Sequence, residues 1–386
     1  MSVSISLPDT ALLEEWRHDF HQHPETAFEE HRTSAKIASL LTEWGLEVTT
    51  GLAGTGVVAV LDGRLGQGRT IGLRADIDAL DIREETELAY ASTIPGKMHA
   101  CGHDGHTTML LGAAWALTQQ PDFKGRVVFI FQPAEENEGG GRAMVEDGLF
   151  ERFPMDAVYG LHNWPGLAVG EAAVHDAAVM AAFDIFTLTL TGKGCHAAMP
   201  HLGIDTVLAS CQLVSQLQGL ISRETPPAQS AVLSVTSIHG GDTFNVIPEK
   251  VELRGTLRCF DMALKERLEA RFKQAITSLA EFHGLQATLD YQRCYPATIN
   301  TPEHAEQCAA VLEDLLGRDN VHRNPPPSMA SEDFSFLLAE RPGAYIWMGN
   351  GEQSASLHNP RYDFNDALLP LGARYWVELV AALLKR

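Results

Sequence analysis

The stretch RVVFIFQPAEENEGGG, residues 126–141, joins an apolar run to two adjacent carboxylates and a glycine-rich turn. The run contains no alternating polar residues, which predicts a strand buried on both faces of an α/β sheet. This strand is expected to end at Gln132-Pro133 and to deliver Glu135 and Glu136 into the turn. Because neighbouring side chains diverge, one carboxylate can bind a metal ion while the other faces a substrate. The alternative is a solvated acidic turn, since the acidic and glycine-rich sequence continues.

Three more short apolar runs share this pattern, and helical patterns separate them. Apolar residues also recur at helical spacing between residues 11 and 44, with an interruption around Pro24, which predicts two N-terminal helices. Buried strands that alternate with helices predict an α/β fold with a layered, largely parallel sheet. The strand segments are GVVAVL (56–61), TIGLRA (70–75) and DAVYGL (156–161), and the helical segments are HTTMLLGAAWALTQ (106–119) and GRAMVEDGLF (141–150).

A different pattern begins at about residue 182 and ends near Pro296. Its strand and helix segments follow the order βαββαβ, which is typical of a small ferredoxin-like α+β domain. Beyond Pro296 the helix and strand signals of the α/β layer resume and end in ALLPLGARYWVELVAALLKR (367–386). We therefore predict a discontinuous α/β domain, residues 1–181 and 296–386, interrupted by an inserted α+β domain, residues 182–295.

The charge and composition disfavour several classes of protein. With 50 acidic against 29 basic residues the formal net charge is −21, which would repel a nucleic-acid backbone. The N-terminal segment lacks a signal-peptide pattern and no apolar run reaches the length of a membrane span, so we expect a cytoplasmic protein without membrane contact. The six cysteines form no CxxC pair and are too sparse for a disulfide scaffold.

The segment MHACGHDGHTTM, residues 98–109, contains three histidines, a cysteine and an aspartate. Cys101 and His103 are two residues apart, so in an extended loop both side chains would leave on the same side and could chelate one cation. A helix is expected to follow, which Asp104 could cap and whose first turn could contain His106. For these two residues a supporting role is favoured over direct metal ligation.

Side chains that can bind metals also follow other predicted strands. Asp76 ends the strand TIGLRAD, His162 follows DAVYGL, and His358 lies in a loop after GAYIWMGNG (343–351). In an open α/β sheet the functional crevice lies outside the carboxyl ends of the strands, where these groups are expected to meet the two glutamates. Their convergence at one edge of the sheet favours a site over a set of isolated surface residues.

Nine ordered motifs, spread over essentially the whole chain, resemble the metal-dependent amidohydrolase branch of the M20 peptidase family. That branch includes hippurate hydrolases, N-acyl amino acid amidohydrolases and indoleacetyl-amino acid hydrolases. The matching segments are RHDFHQHPE (17–25), GLRADIDAL (72–80), MHACGHDGH (98–106), FQPAEE (131–136), LHNWP (161–165), GKGCHAAMPH (192–201), NVIPE (245–249), SEDFSF (331–336) and LHNP (357–360).

The resemblance implies a dinuclear site for zinc or manganese, while cobalt or nickel would also accept its mixed nitrogen, oxygen and sulfur ligands. Arg74 stands where many relatives carry a metal-binding histidine. Because arginine cannot ligate a metal, we expect the thiolate of Cys101 to replace the lost ligand. Glu135 is implied as the general base, and Asp76 as the residue that orients the site. The implied metal ligands are Cys101, His103, Glu136, His162 and His358.

The implied reaction is hydrolysis of the amide bond of an N-acyl amino acid (EC 3.5.1.-) by metal-activated water, giving a carboxylic acid and an amino acid. In the inserted domain His196 matches a histidine that stabilises the tetrahedral oxyanion. Asn245 and Arg258 match positions that bind the substrate carboxylate, although Arg258 could instead be a sheet-surface charge. The resemblance also implies a homodimer or higher homo-oligomer formed through the inserted domain, which acts as a lid.

Two other functions stay open on the sequence. A metallo-carboxypeptidase or dipeptidase would use the same chemistry on short unmodified peptides, and substrate choice would distinguish it from the leading hypothesis. A non-catalytic relative that only binds small molecules or partners is opposed by the intact set of candidate ligands and glutamates. A serine hydrolase is not indicated, because the chain has no G-x-S-x-G segment.

Overall fold

The computed structural model describes residues 5–136 and 138–385, and the chain divides into two compact units. The helices of both units, numbered in chain order, are α1 (Thr10–Gln22), α2 (His31–Glu43), α3 (His103–Gln119), α4 (Gly140–Glu146), α5 (Leu149–Arg152), α6 (Thr206–Gly219), α7 (Met262–His283), α8 (Pro302–Leu316), α9 (Ser335–Glu340) and α10 (Leu368–Leu383). The larger unit comprises Met1–Val179, Ile299–Pro327 and Asp333–Arg386, and the smaller unit comprises Met180–Thr298 and Ser328–Glu332.

The strands are also numbered in chain order. They are β1 (Glu47–Leu52), β2 (Gly56–Asp62), β3 (Thr70–Asp76), β4 (Arg126–Gln132), β5 (Ala157–Pro165), β6 (Ala172–Val174), β7 (Ala178–Met180), β8 (Ala182–Thr191), β9 (Cys195–His196), β10 (Ala231–His239), β11 (Val246–Ile247), β12 (Lys250–Cys259), β13 (Gln286–Tyr295), β14 (Thr298–Ile299), β15 (Val321–Arg323) and β16 (Gly343–Gly351).

The main sheet of the larger unit has the strand order β1-β2-β4-β3-β5-β16-β6-β15. Its central strands β4, β3, β5 and β16 run parallel, and β6 runs parallel to the edge strand β15. The pairs β1–β2, β2–β4 and β16–β6 are antiparallel. The predicted α/β class with a mostly parallel sheet is confirmed. The sequence pattern missed β1, because this edge strand leaves most of its residues at least partly exposed and lacks an apolar run.

Strand β4 illustrates why the central strands carry unbroken apolar runs. Val127, Phe129 and Phe131 pack into the core that the sheet forms with α1, α2, α3, α8 and α10. The intervening Val128 and Ile130 face the opposite way and are equally buried. Both faces of this strand are therefore removed from water, as its sequence predicts.

Helix α3 lies inside the larger unit rather than on its surface. Every residue from His103 to Ala114 is buried, and the helix contacts α1, α10 and β3. A helix that is apolar around most of its circumference is expected in such a position. Its N-terminal turn therefore brings polar side chains into the interior next to the strand ends.

The smaller unit follows the predicted order of elements, β8-α6-β10-β12-α7-β13. Its sheet has the strand order β10-β12-β8-β13, and all neighbouring strands are antiparallel. Alternate residues of β8, Phe186, Leu188 and Leu190, form a core with α6 and α7. The predicted α+β class of this part is thus confirmed. Strands β9 and β11 form a separate small ribbon that the sequence pattern did not indicate.

No helix among residues 5–136 and 138–385 combines the length and the apolar character that a membrane span would need.

Candidate metal centre

The carboxyl ends of three central strands and the start of α3 lie together in the larger unit. Asp76 is the last residue of β3, and Glu135 and Glu136 follow β4. His162 was expected to follow the strand DAVYGL, but it lies within β5, which continues to Pro165. The crevice position itself agrees with the general rule for open α/β sheets.

The geometry predicted for Cys101 and His103 is also wrong, because these residues do not share an extended loop. Helix α3 begins at His103, and Gly102 precedes it in a left-handed conformation with φ of 93°. A side chain at Gly102 would collide with the side chain of Asn163. Glycine is therefore required here, and it turns the chain so that Cys101 and His103 still converge.

Two groups of donor atoms in the described residues overlap at Cys101. In the first group, the Sγ atom of Cys101 lies within 4.8 Å of a ring nitrogen of His103 and of His162. In the second group, it lies within 4.8 Å of a carboxylate oxygen of Glu136 and a ring nitrogen of His358. The Sγ atom is 3.4 Å from His162 Nε2, and His358 Nε2 is 3.1 Å from Glu136 Oε1. The other four residues expected from the sequence as ligands thus lie around Cys101.

His103 is oriented by Asp78, a residue that the sequence reasoning missed. The Nδ1 atom of His103 is 2.9 Å from the Asp78 carbonyl oxygen and 3.1 Å from its carboxylate. Asp78 also accepts the backbone N–H of Glu136 at 3.0 Å, so it fixes two candidate ligands at once. The spacing Asp76-x-Asp78 was the available signal, since residues two apart after a strand leave on the same side.

The Nε2 atom of His103 is buried and has no hydrogen-bond partner among the described residues. Burial lowers the pKa of this histidine, but the carboxylates of Asp76, Asp78 and Glu136 outweigh that effect and raise it to about 10. A cation is therefore strongly favoured at this position. A divalent metal ion could replace the proton and give Nε2 the partner that it lacks.

His162 has the tautomer that a ligand requires. Its Nδ1–H donates to the carbonyl oxygen of Asn163 at 2.6 Å, so the lone pair of Nε2 faces the sulfur of Cys101. Burial, and then the nearby His106, hold its pKa well below the usual value. The ring is therefore neutral and available to a metal ion.

The thiol of Cys101 lies in a strongly acidic environment. Burial and the nearby carboxylates of Glu136, Glu135 and Asp76 raise its pKa well above the usual value. Without a cation the thiolate would be repelled by these groups, whereas a bound dication would stabilise it. The sulfur, the unpartnered imidazole nitrogen and the carboxylates together fit a divalent metal site.

Asp76 lies at the centre of a buried hydrogen-bond network. Its Oδ1 atom is 2.6 Å from His106 Nδ1, and its Oδ2 atom accepts a hydrogen bond from Arg74 at 2.8 Å. Burial raises the pKa of Asp76, but His103, His106 and Arg74 hold it well below the usual value. Asp76 therefore stays ionised, and it fixes the orientation of the histidines next to it.

Arg74 ties this network to the C-terminal part of the unit. Besides Asp76, its guanidinium binds Gln132 Oε1 at 2.9 Å and Asp333 Oδ1 at 3.0 Å. The backbone N–H of Asp333 in turn lies 3.3 Å from Oε1 of Glu135. Arg74 thus acts as a buried cross-link between three acceptors rather than as a surface charge.

Glu135 is buried, with 6% of its surface exposed, which excludes a solvated acidic turn as its environment. A carboxylate oxygen of Glu135 lies within 4.8 Å of a ring nitrogen of His103 and of a carboxylate oxygen of Glu136. Glu136 also belongs to the group around Cys101, whereas Glu135 does not. The two adjacent carboxylates therefore converge beside His103 instead of diverging as expected.

Asp104 does not cap α3, so that prediction is wrong. The residue before the helix is Gly102, which offers no capping side chain. The carboxylate of Asp104 instead lies 2.8 Å from His21 Nδ1 and 3.6 Å from Arg17, all three side chains being buried. Although burial raises the pKa of Asp104, His21 and Arg17 lower it below the usual value. Asp104 thus anchors α3 to α1.

The remaining expected site residues lie in the smaller unit. His196 in β9 pairs with Val246 in β11, and the Ala197 N–H donates to the carbonyl oxygen of Asn245 at 3.0 Å. His196 and Asn245 are therefore neighbours on an exposed ribbon. The backbone N–H of Ala198 donates to Nδ1 of His196 at 3.0 Å, which places the ring proton on Nε2.

Arg258 lies in β12, on the other sheet of the smaller unit. Its Nη1 atom donates to Met329 O at 2.9 Å and to Ser331 Oγ at 3.0 Å, and its guanidinium stacks 4.3 Å from the ring of Phe183. Burial lowers its pKa. Arg258 is therefore a half-buried, oriented guanidinium and not a free surface charge.

Sulfur, nitrogen and carboxylate donors at the strand ends of an α/β sheet are typical of a metal-dependent enzyme. The chain belongs to Peptidase family M20/M25/M40, whose model matches residues 72–382, so the resemblance noted from the motifs is confirmed. It is 38% identical to the hippurate hydrolase of Campylobacter jejuni over 97% of both chains. It is also 38% identical to the N-acetyl-L-cysteine deacetylase of Bacillus subtilis, covering 99% of this chain and 90% of the relative.

The crystal structure of a dinuclear metal-binding peptidase of the M20 family from Bacillus subtilis is similar over the whole fold. The TM-score is 0.85 at 34% sequence identity, and the match covers 97% of this chain and 98% of the relative.

Proposed function

We propose that this protein is a metal-dependent amidohydrolase that cleaves the amide bond of N-acyl amino acids and releases a carboxylic acid and an amino acid. The observation that carries this proposal is the overlap of two donor groups at Cys101, directly beside the buried carboxylate of Glu135. The relatives named as a hippurate hydrolase and an N-acetyl-L-cysteine deacetylase support the choice of acylated amino acids as substrates.

The proposed site holds two divalent metal ions. Sulfur, imidazole and carboxylate ligands suit zinc well, and manganese, cobalt or nickel are compatible with the same set. When bound, such ions polarise an amide carbonyl and make water more acidic. The proposed ligands are Cys101, His103, Glu136, His162 and His358, with Cys101 belonging to both donor groups.

Glu135 is the proposed general base. It takes a proton from the attacking water and later delivers that proton to the leaving nitrogen, which would otherwise depart as an amide anion. Its buried position beside the donor groups supports this role. Asp76 and Asp78 act indirectly, because they orient the histidine rings and the backbone of Glu136.

In the smaller unit His196 is proposed to stabilise the oxyanion that develops on the substrate carbonyl. Its tautomer, with the proton on Nε2, gives it the donor that this role needs. Asn245, its neighbour on the ribbon, and Arg258 are proposed to bind the substrate carboxylate. We also propose that this unit closes over the substrate and that it joins subunits into a homodimer, for which its exposed Phe244 and Val246 provide apolar surface.

Substrates whose carboxylate is converted to an amide are expected to react more slowly if Arg258 binds that carboxylate. Loss of a charged hydrogen bond costs about 1.5–3 kcal/mol, so kcat/KM should fall roughly 10- to 150-fold. In the Arg258→Met variant the acid and its amide should react at similar rates. Arg254→Met, which alters an exposed arginine of the same strand, is the control and should keep the preference for the acid. Equal rates for both substrates in the unaltered protein would reject this role.

The proposed function is tested by metal analysis followed by a substrate panel. The purified protein should contain divalent metal, lose hydrolysis of N-acetyl and N-benzoyl amino acids after thorough chelation, and regain it when zinc or manganese is returned. Unmodified dipeptides in the same panel test the peptidase alternative. Activity that survives complete removal of metal would contradict the proposal, and hydrolysis of dipeptides alone would favour the peptidase.

A further inference from the structure

A buried carboxylate, that of Glu30, lies next to the turn that carries Glu135. Glu30 immediately precedes α2 and has no exposed surface. No ion pair to Glu30 is found in the described part of the chain, and burial raises its pKa to about 7. Burying a carboxylate in this way is unfavourable for stability. The buried carboxylate of Glu30 therefore calls for a functional explanation.

Both oxygens of Glu30 accept hydrogen bonds. The Oε1 atom accepts the backbone N–H of Ala134 at 2.9 Å, and the Oε2 atom accepts the hydroxyl of Thr55 at 2.6 Å. Thr55 lies directly before β2, and Ala134 lies directly before Glu135. The Glu30 carboxylate therefore links the start of β2 to the turn that carries the two glutamates.

The turn at Ala134 has an unfavourable backbone conformation. Its φ angle is 53°, in the left-handed region, which costs roughly 1 kcal/mol or more for a residue with a Cβ atom. The Ala134 carbonyl oxygen accepts the N–H of Gly140 at 2.9 Å, and a side chain at Gly140 would collide with the carbonyl oxygen of Pro133. The bonds from Glu30 and Gly140 thus hold Ala134 from both sides.

The direction in which the chain leaves β4 depends on this conformation. If Ala134 relaxed to a negative φ angle, the backbone after it would rotate, and Glu135 and Glu136 would point elsewhere. A displacement of catalytic groups by about 1 Å is enough to cost roughly 100-fold in rate. The hydrogen bond from Ala134 to Glu30 opposes that relaxation directly.

We propose that Glu30 is a positioning residue, which holds the left-handed turn at Ala134 through its hydrogen bond and thereby fixes both Glu135 and Glu136. This inference rests on the proposed function for the catalytic readout. It also predicts an effect on metal affinity that does not depend on turnover, because Glu136 belongs to a donor group.

The test compares Glu30→Gln with Glu30→Ala in the metal-loaded protein. Glutamine keeps an oxygen acceptor for Ala134, so kcat and the dissociation constant for Co²⁺, measured by competition titration, should stay within about 3-fold of the unaltered protein. Alanine removes the acceptor, so kcat should fall roughly 10- to 100-fold with KM nearly unchanged, and Co²⁺ should bind about 10-fold more weakly. If Glu30→Ala does not fold, Glu30→Leu fills the space without an acceptor.

Two control variants separate positioning from general destabilisation. Thr55→Val removes the other bond of Glu30 but leaves Ala134 bound. Glu25→Ala removes the carboxylate that accepts the N–H groups of Arg32 and Thr33 at the start of α2, and it does not contact the turn. Both are expected to lower the unfolding temperature while leaving kcat and the Co²⁺ dissociation constant unchanged.

Several results would overturn the proposal: an unaltered kcat and Co²⁺ affinity in Glu30→Ala, a Glu30→Gln variant as impaired as Glu30→Ala, or an equal loss in either control. If the unaltered protein hydrolyses none of the acylated amino acids, the proposed function fails. The Co²⁺ titration then still decides whether Glu30 positions the turn.

Discussion

Replacing Glu135 with glutamine is expected to lower kcat by roughly 100- to 10,000-fold while both metal ions stay bound. Glutamine has nearly the same shape and can still accept the N–H of Asp333, so the turn should keep its conformation. It cannot take a proton from water or deliver one to the leaving nitrogen. The variant therefore removes proton transfer alone, and metal content and kcat should be measured on the same sample.

Glu138→Gln provides the matched control for this variant. Glu138 is exposed and lies only three residues further along the same turn, so the change alters charge equally without touching the donor groups. Its kcat should equal that of the unaltered protein. Normal turnover in Glu135→Gln would remove the general base from the mechanism, and loss of metal would show that the residue binds an ion instead.

Replacing Cys101 with alanine is expected to abolish tight binding of both metal ions, because this residue is shared by the two donor groups. Loss of any one peripheral ligand should weaken mainly one ion. Affinity for zinc should fall at least about 100-fold, which exceeds the roughly 10- to 100-fold cost of changing an outer residue. Hydrolysis should then be undetectable at metal concentrations that saturate the unaltered protein.

Cys308→Ala is the control for the loss of a buried thiol. Cys308 in α8 is buried, as Cys101 is, but it packs in the hydrophobic core away from the donor groups. We expect a loss of stability of about 1–2 kcal/mol with full metal content. Two bound zinc ions in Cys101→Ala would show that the thiol is not a shared ligand.

The sequence predicted the central sheet well because each buried strand is an unbroken apolar run. That pattern is local, and it identified β2, β3, β4 and β16 within a few residues. The edge strand β1 has no such run, because water covers much of it, and so it was missed. The same reasoning found the glutamates, which directly follow an apolar strand, and His358, which lies in the loop after β16.

The start of α3 could not be predicted, because its signal is conformational. Helix starts are usually recognised from a polar capping side chain, and the sequence offered Asp104 for that role. The helix instead begins after Gly102, whose left-handed backbone replaces a side-chain cap. This shift places His103, Asp104 and His106 on the first turn and moves Asp104 to a partner in α1.

Apart from Asp76, the supporting network was invisible in the sequence, because most of its contacts join distant residues. Arg74 and Asp333 are separated by 259 positions, and Glu30 and Ala134 by 104. No periodicity or spacing encodes which buried carboxylate meets which donor. Only Asp78 left a local trace, in its spacing from Asp76.

The contact between His358 and Ala100 bears on when the proposed metal site can form during synthesis. The His358 N–H donates to the Ala100 carbonyl oxygen at 2.8 Å, which joins the loop of the last proposed ligand to the loop of the first. A nascent chain that has not reached His358 lacks both this bond and the full donor set. A chain truncated before His358 is therefore expected to bind metal weakly.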